Sequence, residues 1–279
     1  VEIVDEYIPK LCCNLFHLSY EVAHLIIRNS NVKELQENCY ENVFNNVSFE
    51  IDISFNQIRF INKGTFNKLR IVEIHLQSNI IKAIEDEAFV NLPNLMLLNL
   101  SNNQLQTLNP QAFIEVPVLN TLLLQCNHIT FLEKRNFNFT RKNYTYINLG
   151  NNNISFFDSN VFERTLAGTL SLDLSSNAIA SLPKNLLNNY SIGEIDLSCN
   201  PIANLSDICK NHCHVNLIFI DDSFFDRAIF ENFSEWPASR NFRLISNACT
   251  TKKYCEVLKS VSSKKENYGF CCVLVFIMR

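Results

Sequence analysis

The chain has 279 residues, of which 47% are hydrophobic and 19% charged, so it is long and apolar enough to bury a sizeable core. Its 24 basic and 28 acidic residues give a formal net charge of −4, with no cluster of basic residues. We therefore expect no nucleic-acid partner, because phosphate binding draws on Lys and Arg side chains.

Residues 1–21 are predicted to form an N-terminal cap, since they show no repeat. A divergent first repeat follows and carries Ser30 where later repeats carry asparagine. First repeats are often atypical because they meet a cap. The residues of this copy that fit the register are Val22, Leu25, Ile27, Ser30, Val32 and Leu35.

A short phrase then returns seven times, in forms such as IDISFNQI (51–58), LNLSNNQL (98–105) and LDLSSNAI (172–179). A fixed period of this length is typical of the leucine-rich repeat, a solenoid. We number each repeat so that its asparagine is position 9. These asparagines recur every 23 to 25 residues, and they are Asn56, Asn79, Asn103, Asn127, Asn152, Asn177 and Asn200.

Positions 4 and 6 are apolar in every copy, and this alternation predicts a short strand with one buried face. Positions 11 and 14 are apolar as well, and Phe recurs at position 19, for example in Phe66 and Phe89. The predicted fold is α/β: a right-handed horseshoe solenoid of eight turns over residues 22–205. Short parallel strands line its concave face, its back is irregular or briefly helical, and cysteine-bearing caps close both ends.

The asparagines are expected to be structural. The chain turns sharply after each strand and leaves backbone groups without partners, and a buried amide can donate to one and accept from another.

Strand positions 2, 3, 5, 7 and 8 are predicted to point away from the core or to lie at its rim. Acidic residues occupy both ends of this concave face, and polar residues with a few apolar ones fill its middle. Such a surface suits a protein or glycan ligand. The predicted binding residues are Glu50, Asp52, Glu73, His75, Asn99, Leu123, Tyr146, Asn148, Asp173, Glu194 and Asp196.

Residues 206–279 are predicted to be a cysteine-rich cap and tail. Cys126 and Cys199 share position 8 but lie three turns apart, roughly 14 Å at the usual strand spacing, so they are expected to stay unpaired or shielded. The adjacent Cys271 and Cys272 bridge each other only with strain, so one is a candidate for a disulfide to a partner chain. The disulfide candidates are Cys12, Cys13, Cys39, Cys209, Cys213, Cys249, Cys255, Cys271 and Cys272.

Cysteine-rich flanks and glycosylation sequons together predict an extracellular glycoprotein. No run of about 20 apolar residues is present, so no membrane span is expected in this chain, and its start at Val1 fits a processed N-terminus. Sequons that support this prediction begin at Asn46, Asn138, Asn143, Asn153, Asn189, Asn204 and Asn232.

The 24-residue form with Phe at position 19 resembles the typical leucine-rich repeat of extracellular proteins. The LDLSSN-type repeats, Cys213, Cys249 and the phrase YGFCC (268–272) are similar to the insect, mosquito-type, secreted leucine-rich-repeat immune proteins. This resemblance implies a secreted recognition module of innate immunity. The chain departs from it after Cys272, where VLVFIMR holds no coiled-coil heptads.

The alternative reading is the ectodomain of a Toll-like or adhesion-type leucine-rich repeat membrane receptor. An enzyme is not expected, because the chain contains no G-x-S-x-G, no H-E-x-x-H and no phosphate-binding glycine loop. The group Cys209, His212, Cys213 and His214 is interpreted as part of the disulfide cap rather than a metal site. No cofactor is predicted.

Overall fold

The computed structural model describes residues 2–11, 24–37, 49–137, 144–162, 169–183, 186, 191–202, 214–221 and 241–245. These residues form short β-strands with almost no helix, and no helix among them is long and apolar enough to span a membrane. The strands are β1 (Glu2–Val4), β2 (Lys10–Leu11), β3 (His24–Arg28), β4 (Glu34–Leu35), β5 (Phe49–Asp52), β6 (Phe60–Ile61), β7 (Phe66–Asn67), β8 (Ile71–His75), β9 (Ala83–Ile84), β10 (Phe89–Val90), β11 (Leu97–Asn99), β12 (Phe113–Ile114), β13 (Thr121–Leu123), β14 (Phe131–Leu132), β15 (Tyr144–Asn148), β16 (Phe156–Phe157), β17 (Thr169–Asp173), β18 (Ser191–Asp196), β19 (His214–Asp221) and β20 (Asn241–Ile245).

One parallel sheet of 11 strands runs the length of the described chain, in the order β1-β3-β5-β8-β11-β13-β15-β17-β18-β19-β20. Each turn of the chain adds one strand beside the last, and the strands of this sheet from β3 to β18 point positions 4 and 6 inward. Ile51, Ile53, Leu98 and Leu100 are all 0% exposed, for example. The predicted parallel-strand solenoid with the form of a leucine-rich repeat horseshoe is therefore confirmed.

The sheet is longer than the interval 22–205 that the asparagine spacing marks. Strand β1 pairs with β3, and strands β19 and β20 extend the sheet beyond β18. These three strands carry no asparagine phrase, which is the reason that the repeat pattern alone does not reveal them. The division into a solenoid over 22–205 and caps at 1–21 and 206–279 stays a prediction.

The back of the coil carries two-residue parallel ladders rather than helical segments where it is described. Strands β7, β10 and β12 form one such ladder, which aligns Phe66, Phe89 and Phe113 in register. Their rings stack with centroids 5.2 and 5.3 Å apart, and Phe137 stacks on Phe162 at 5.3 Å. The position-19 aromatics thus form two stacked groups behind the strands.

The asparagines join each turn to the turn before it. Asn103 donates from Nδ2 to the carbonyls of Leu76 (3.0 Å) and Leu100 (3.1 Å), and its Oδ1 accepts from the backbone N–H of Ile81 at 3.0 Å. Leu76 and Ile81 belong to the preceding turn, and Leu100 belongs to its own. The other six asparagines make the same set of contacts.

Each asparagine follows a corner with left-handed backbone. Position 8 has φ between 52° and 59° in every described turn, although none of its residues is glycine. Side chains other than glycine adopt this region at a cost, so the surrounding contacts must hold the corner in place. The corner residues are Asn29, Phe55, Ser78, Asn102, Cys126, Asn151, Ser176 and Cys199.

We expect Asn103→Ala to lower the free energy of unfolding by about 1–3 kcal/mol, because buried backbone groups of two turns lose their partner. Urea denaturation followed by far-UV circular dichroism measures this change. Gln106→Ala is the matched control, since Gln106 is an exposed amide in the same turn. An equal midpoint for the two variants would contradict a stabilising role for the asparagine.

Candidate functional site

The eleven predicted binding residues fall into two rows that cross the concave face. The pairing registers of the sheet align position 3 of each turn with position 3 of the next, and they do the same for position 5. The position-3 row contains Glu50, Glu73, Leu97, Thr121, Tyr146, Ser171 and Glu194. The position-5 row contains Asp52, His75, Asn99, Leu123, Asn148, Asp173 and Asp196.

Most of the position-5 row is engaged in holding the turn that follows the strand. Asp52 Oδ1 accepts from the backbone N–H of Ser54 at 3.0 Å and from its hydroxyl at 2.6 Å. Asn99 does the same with Ser101, at 3.1 and 2.7 Å. The same bond to the N–H of position 7 is made by Asn148, Asp173 and Asp196.

These Asx turns restrict what position 5 offers a ligand, because one oxygen of each side chain is already committed. Asp52 and Asp196 are only 6% and 7% exposed. The sequence indicates these Asx turns by an Asp or Asn at position 5 and a Ser or Gly at position 7, for example in DIS (52–54) and NLG (148–150). The predicted exposure of position 5 alone does not reveal them.

Two turns at the middle of the face have no Asx residue at position 5 and differ in their side chains at positions 5 and 7. His75 and Leu123 occupy that position, and glutamines replace the small residue at position 7. Within the described part of the chain, Gln77 Oε1, Asn102 Oδ1 and Gln125 Oε1 are buried acceptors without a hydrogen-bond partner. They lie in three successive turns at the middle of the face.

Nitrogen-bearing side chains pair with the acidic residues at the N-terminal end of the face. Arg28 Nε donates to Asp52 Oδ2 at 2.9 Å, His24 Nδ1 lies 2.9 Å from Glu50 Oε2, and His75 Nε2 lies 3.0 Å from Glu73 Oε2. Burial by itself would raise the pKa of Asp52, but hydrogen bonds from Arg28 and Ser54 outweigh it and lower that pKa below its ordinary value.

The acidic residues at the C-terminal end of the concave face have a different electrostatic environment. Burial, and then the charge of Asp173, raises the pKa of Asp196 to about 6. Burial likewise raises the pKa of Asp173, and it is the main reason for the raised pKa of the Tyr146 phenol. Among the residues described, no basic side chain forms an ion pair with Asp173 or Asp196. The two acidic ends of the face therefore differ in their electrostatics.

Cys126 is disulfide-bonded, so the expectation that it stays unpaired is wrong. That expectation considered only Cys199, which distance excludes, and overlooked partners elsewhere in the chain. The described residues hold no third cysteine, so the partner of Cys126 lies outside them. All nine disulfide candidates also lie outside the described residues, as do Asn46, Asn138, Asn143, Asn189, Asn204 and Asn232. Of the predicted glycosylation sites, Asn153 lies within the described residues, and it is exposed.

A second concave surface lies on the back of the coil, away from the strands. This depression has a volume of about 1080 Å³, and Lys68, Arg70, Lys134 and Arg135 are among the residues that line it. No group of three or more His, Cys, Asp or Glu residues suited to a metal ion is found within the described ranges.

The fold and the repeat define the class: the chain is a leucine-rich repeat solenoid. A family model described as leucine rich repeat matches residues 70–129 and 117–179. Among solved structures, a chain of the Toll–Spätzle complex of Drosophila has a TM-score of 0.63 and 20% identity, covering 72% of this chain and 27% of its own. A chain of the TLR13–ssRNA13 complex has a TM-score of 0.52 and 19% identity, covering 71% of this chain and 32% of its own. The chain thus spans about a third or less of either neighbour. No curated protein matches significantly.

Replacing two aspartates at the same repeat position is expected to have opposite effects on stability. The folded state holds a proton on Asp196 up to about pH 6, whereas an unfolded aspartate releases it near pH 4. Stability is therefore lost as pH rises from about 4 to about 6, by up to roughly 3 kcal/mol. Asp196→Asn should recover part of this lost stability at pH 7 and weaken the dependence of stability on pH.

Asp52→Asn is the matched variant. The lowered pKa of Asp52 means that its carboxylate stabilises the fold above about pH 4, and that this contribution is lost as pH falls through the folded pKa. The variant should therefore be less stable than the parent at pH 7. Urea midpoints at pH 4.5 and pH 7 measure both effects, and a shift of the same sign for the two variants at pH 7 would rule out this account.

Proposed function

We propose that this chain is a non-enzymatic extracellular recognition module that binds a protein or glycan through its concave face. The observation that carries the proposal is the middle of that face. There Leu97, Thr121 and Tyr146 lie in register across consecutive turns. In the neighbouring row, Leu123 lies in register between the amide side chains of Asn99 and Asn148. Apolar contact area with interspersed hydrogen-bonding groups is the usual composition of a binding surface.

The charges of the two rows favour a protein or glycan over a nucleic acid. Neither row contains Lys or Arg, whereas acidic residues occupy both ends. Phosphate groups would meet carboxylates there, and Arg28 beside them is already paired with Asp52. The fold alone does not decide the chemical class of the ligand, because one structural neighbour was solved with Spätzle and the other with ssRNA13.

An extracellular location and a role in innate immunity are the finer parts of the proposal. They are supported by the likeness in fold to Toll, which is described as a hub of development and innate immunity. The predicted glycosylation sequons and the nine cysteines at the ends of the repeats support secretion, as does the disulfide of Cys126. A secreted protein, with a partner chain attached through Cys271 or Cys272, and the ectodomain of a receptor are both compatible with this surface.

Site-specific photo-crosslinking tests the binding face. A photoreactive amino acid replaces Thr121 in one variant and Gln111, which lines the depression on the back, in another. Each variant is incubated with the secreted proteins of the source organism and then irradiated. We expect a single protein or glycoprotein adduct from position 121 and none from position 111.

Charge reversal provides the control for specificity. Glu73→Lys with Glu194→Lys changes the position-3 row, and Arg70→Glu with Lys134→Glu changes the back by the same number of charges. The first pair should abolish the adduct while the melting temperature stays close to that of the parent, and the second should leave the adduct unchanged. An adduct formed only from position 111, or lost only with the second pair, would transfer the site to the back of the coil.

A further inference from the structure

Two aromatic rings stand side by side on the flank of the coil, outside the concave face. Phe131 and Phe156 are paired in register in the ladder of β14 and β16, and they are 37% and 64% exposed. Their successors Leu132 and Phe157 are both 2% exposed and belong to the core. The ladder is thus anchored from beneath while its outer aromatic surface remains open, an arrangement that indicates a binding surface.

The exposed sequon at Asn153 immediately precedes Phe156 in the sequence. Asn153 begins the sequon Asn153-Ile154-Ser155, and Phe156 follows at once. Ile154 and Phe157, three residues apart, both point into the core, so Asn153 and Phe156, also three residues apart, share the outer side. The backbone here is fixed, because Asn153 N–H donates to the Ile129 carbonyl at 2.9 Å and Ser155 N–H to the Thr130 carbonyl at 3.0 Å.

We propose that Asn153 carries an N-linked glycan whose first sugars pack on Phe156 and Phe131. Asn153 Nδ2 loses one proton and bonds to the anomeric carbon of an oligosaccharide, which leaves its lipid-linked pyrophosphate carrier. The C–H groups on one side of a sugar ring are apolar and weakly positive, and the face of an aromatic ring is apolar and negative. Three residues of extended chain separate the Asn153 and Phe156 backbones by at most about 10 Å, within reach of two linked sugars.

This inference rests on the secretory location proposed above, and it adds a function for the flank. A glycan held flat against β14 and β16 covers the exposed rings, protects them from association with other apolar surfaces, and keeps the concave face unobstructed. The same repeat position in an earlier turn offers an internal comparison. Phe60 is 51% exposed there, but Gln57 stands where Asn153 would be, so no glycan can reach it from its own turn.

The test uses the full chain secreted from insect cells with an added signal peptide, so that it does not depend on the natural location. Glycopeptide mass spectrometry measures occupancy of Asn153. The melting temperatures of the parent and of Asn153→Gln, which lacks this glycan, are then compared in three backgrounds: unaltered, Phe156→Ala and Phe60→Ala. Each comparison isolates the contribution of the glycan in one background.

We expect an occupied Asn153 and a melting temperature about 2–4 °C higher with the glycan than without it. Phe156→Ala should remove at least half of this difference, and Phe60→Ala should leave it intact. An unoccupied Asn153 beside occupied sequons elsewhere would overturn the site, and equal differences in all three backgrounds would overturn the packing. Neither result bears on photo-crosslinking from position 121, so failure of this inference and failure of the binding proposal are distinguishable.

Discussion

The structure depends on a buried asparagine amide that joins each turn of the coil to the one before. Backbone hydrogen bonds join adjacent turns along the strand and at the left-handed corner, where the N–H of position 8 donates to the next turn, as Ser78 does to the Ser101 carbonyl at 3.1 Å. The carboxamide of position 9 bonds other backbone groups of the same two turns. It donates to the position-6 carbonyls of two turns and accepts from the position-11 N–H of the preceding turn, as Asn103 does with Leu76, Leu100 and Ile81. A hydroxyl or a methyl group could not supply both donors and an acceptor.

That corner also decides which side chains remain available to a ligand. Because the chain must turn at positions 7 and 8, the side chain at position 5 bonds the N–H of position 7 wherever it is Asp or Asn. Asp52 and Asp196 are identical in sequence and in this bond, yet the pKa of one is lowered and that of the other raised. The difference comes from Arg28, a residue of the divergent first repeat that pairs with Asp52. The side chains of the position-3 row do not make this bond to the turn. That row is therefore the part of the face best suited to recognition.

The sequence predicts the features that repeat and misses those that occur once. The asparagine spacing identifies the strands from β5 to β18, and the alternation of positions 4 and 6 identifies which residues they bury. The repeat pattern does not predict strands β1, β19 and β20, because they lack the asparagine phrase. It does not predict the Arg28–Asp52 pair or the disulfide of Cys126 for a related reason. Each joins a residue of an asparagine phrase to a residue that lies outside those phrases.

The same distinction bears on function. A solenoid that fixes its core with a repeated phrase leaves its outward positions unconstrained, so chains of equal fold can face different ligands. The two structural neighbours, with Spätzle and with ssRNA13, are such a pair. In this chain the outward rows hold carboxylates, amides and apolar groups but no Lys or Arg, and the basic residues of the described turns instead include four at the depression on the back. A ligand of the concave face must therefore present hydrogen-bond donors to the acidic ends of that face and apolar surface to its centre.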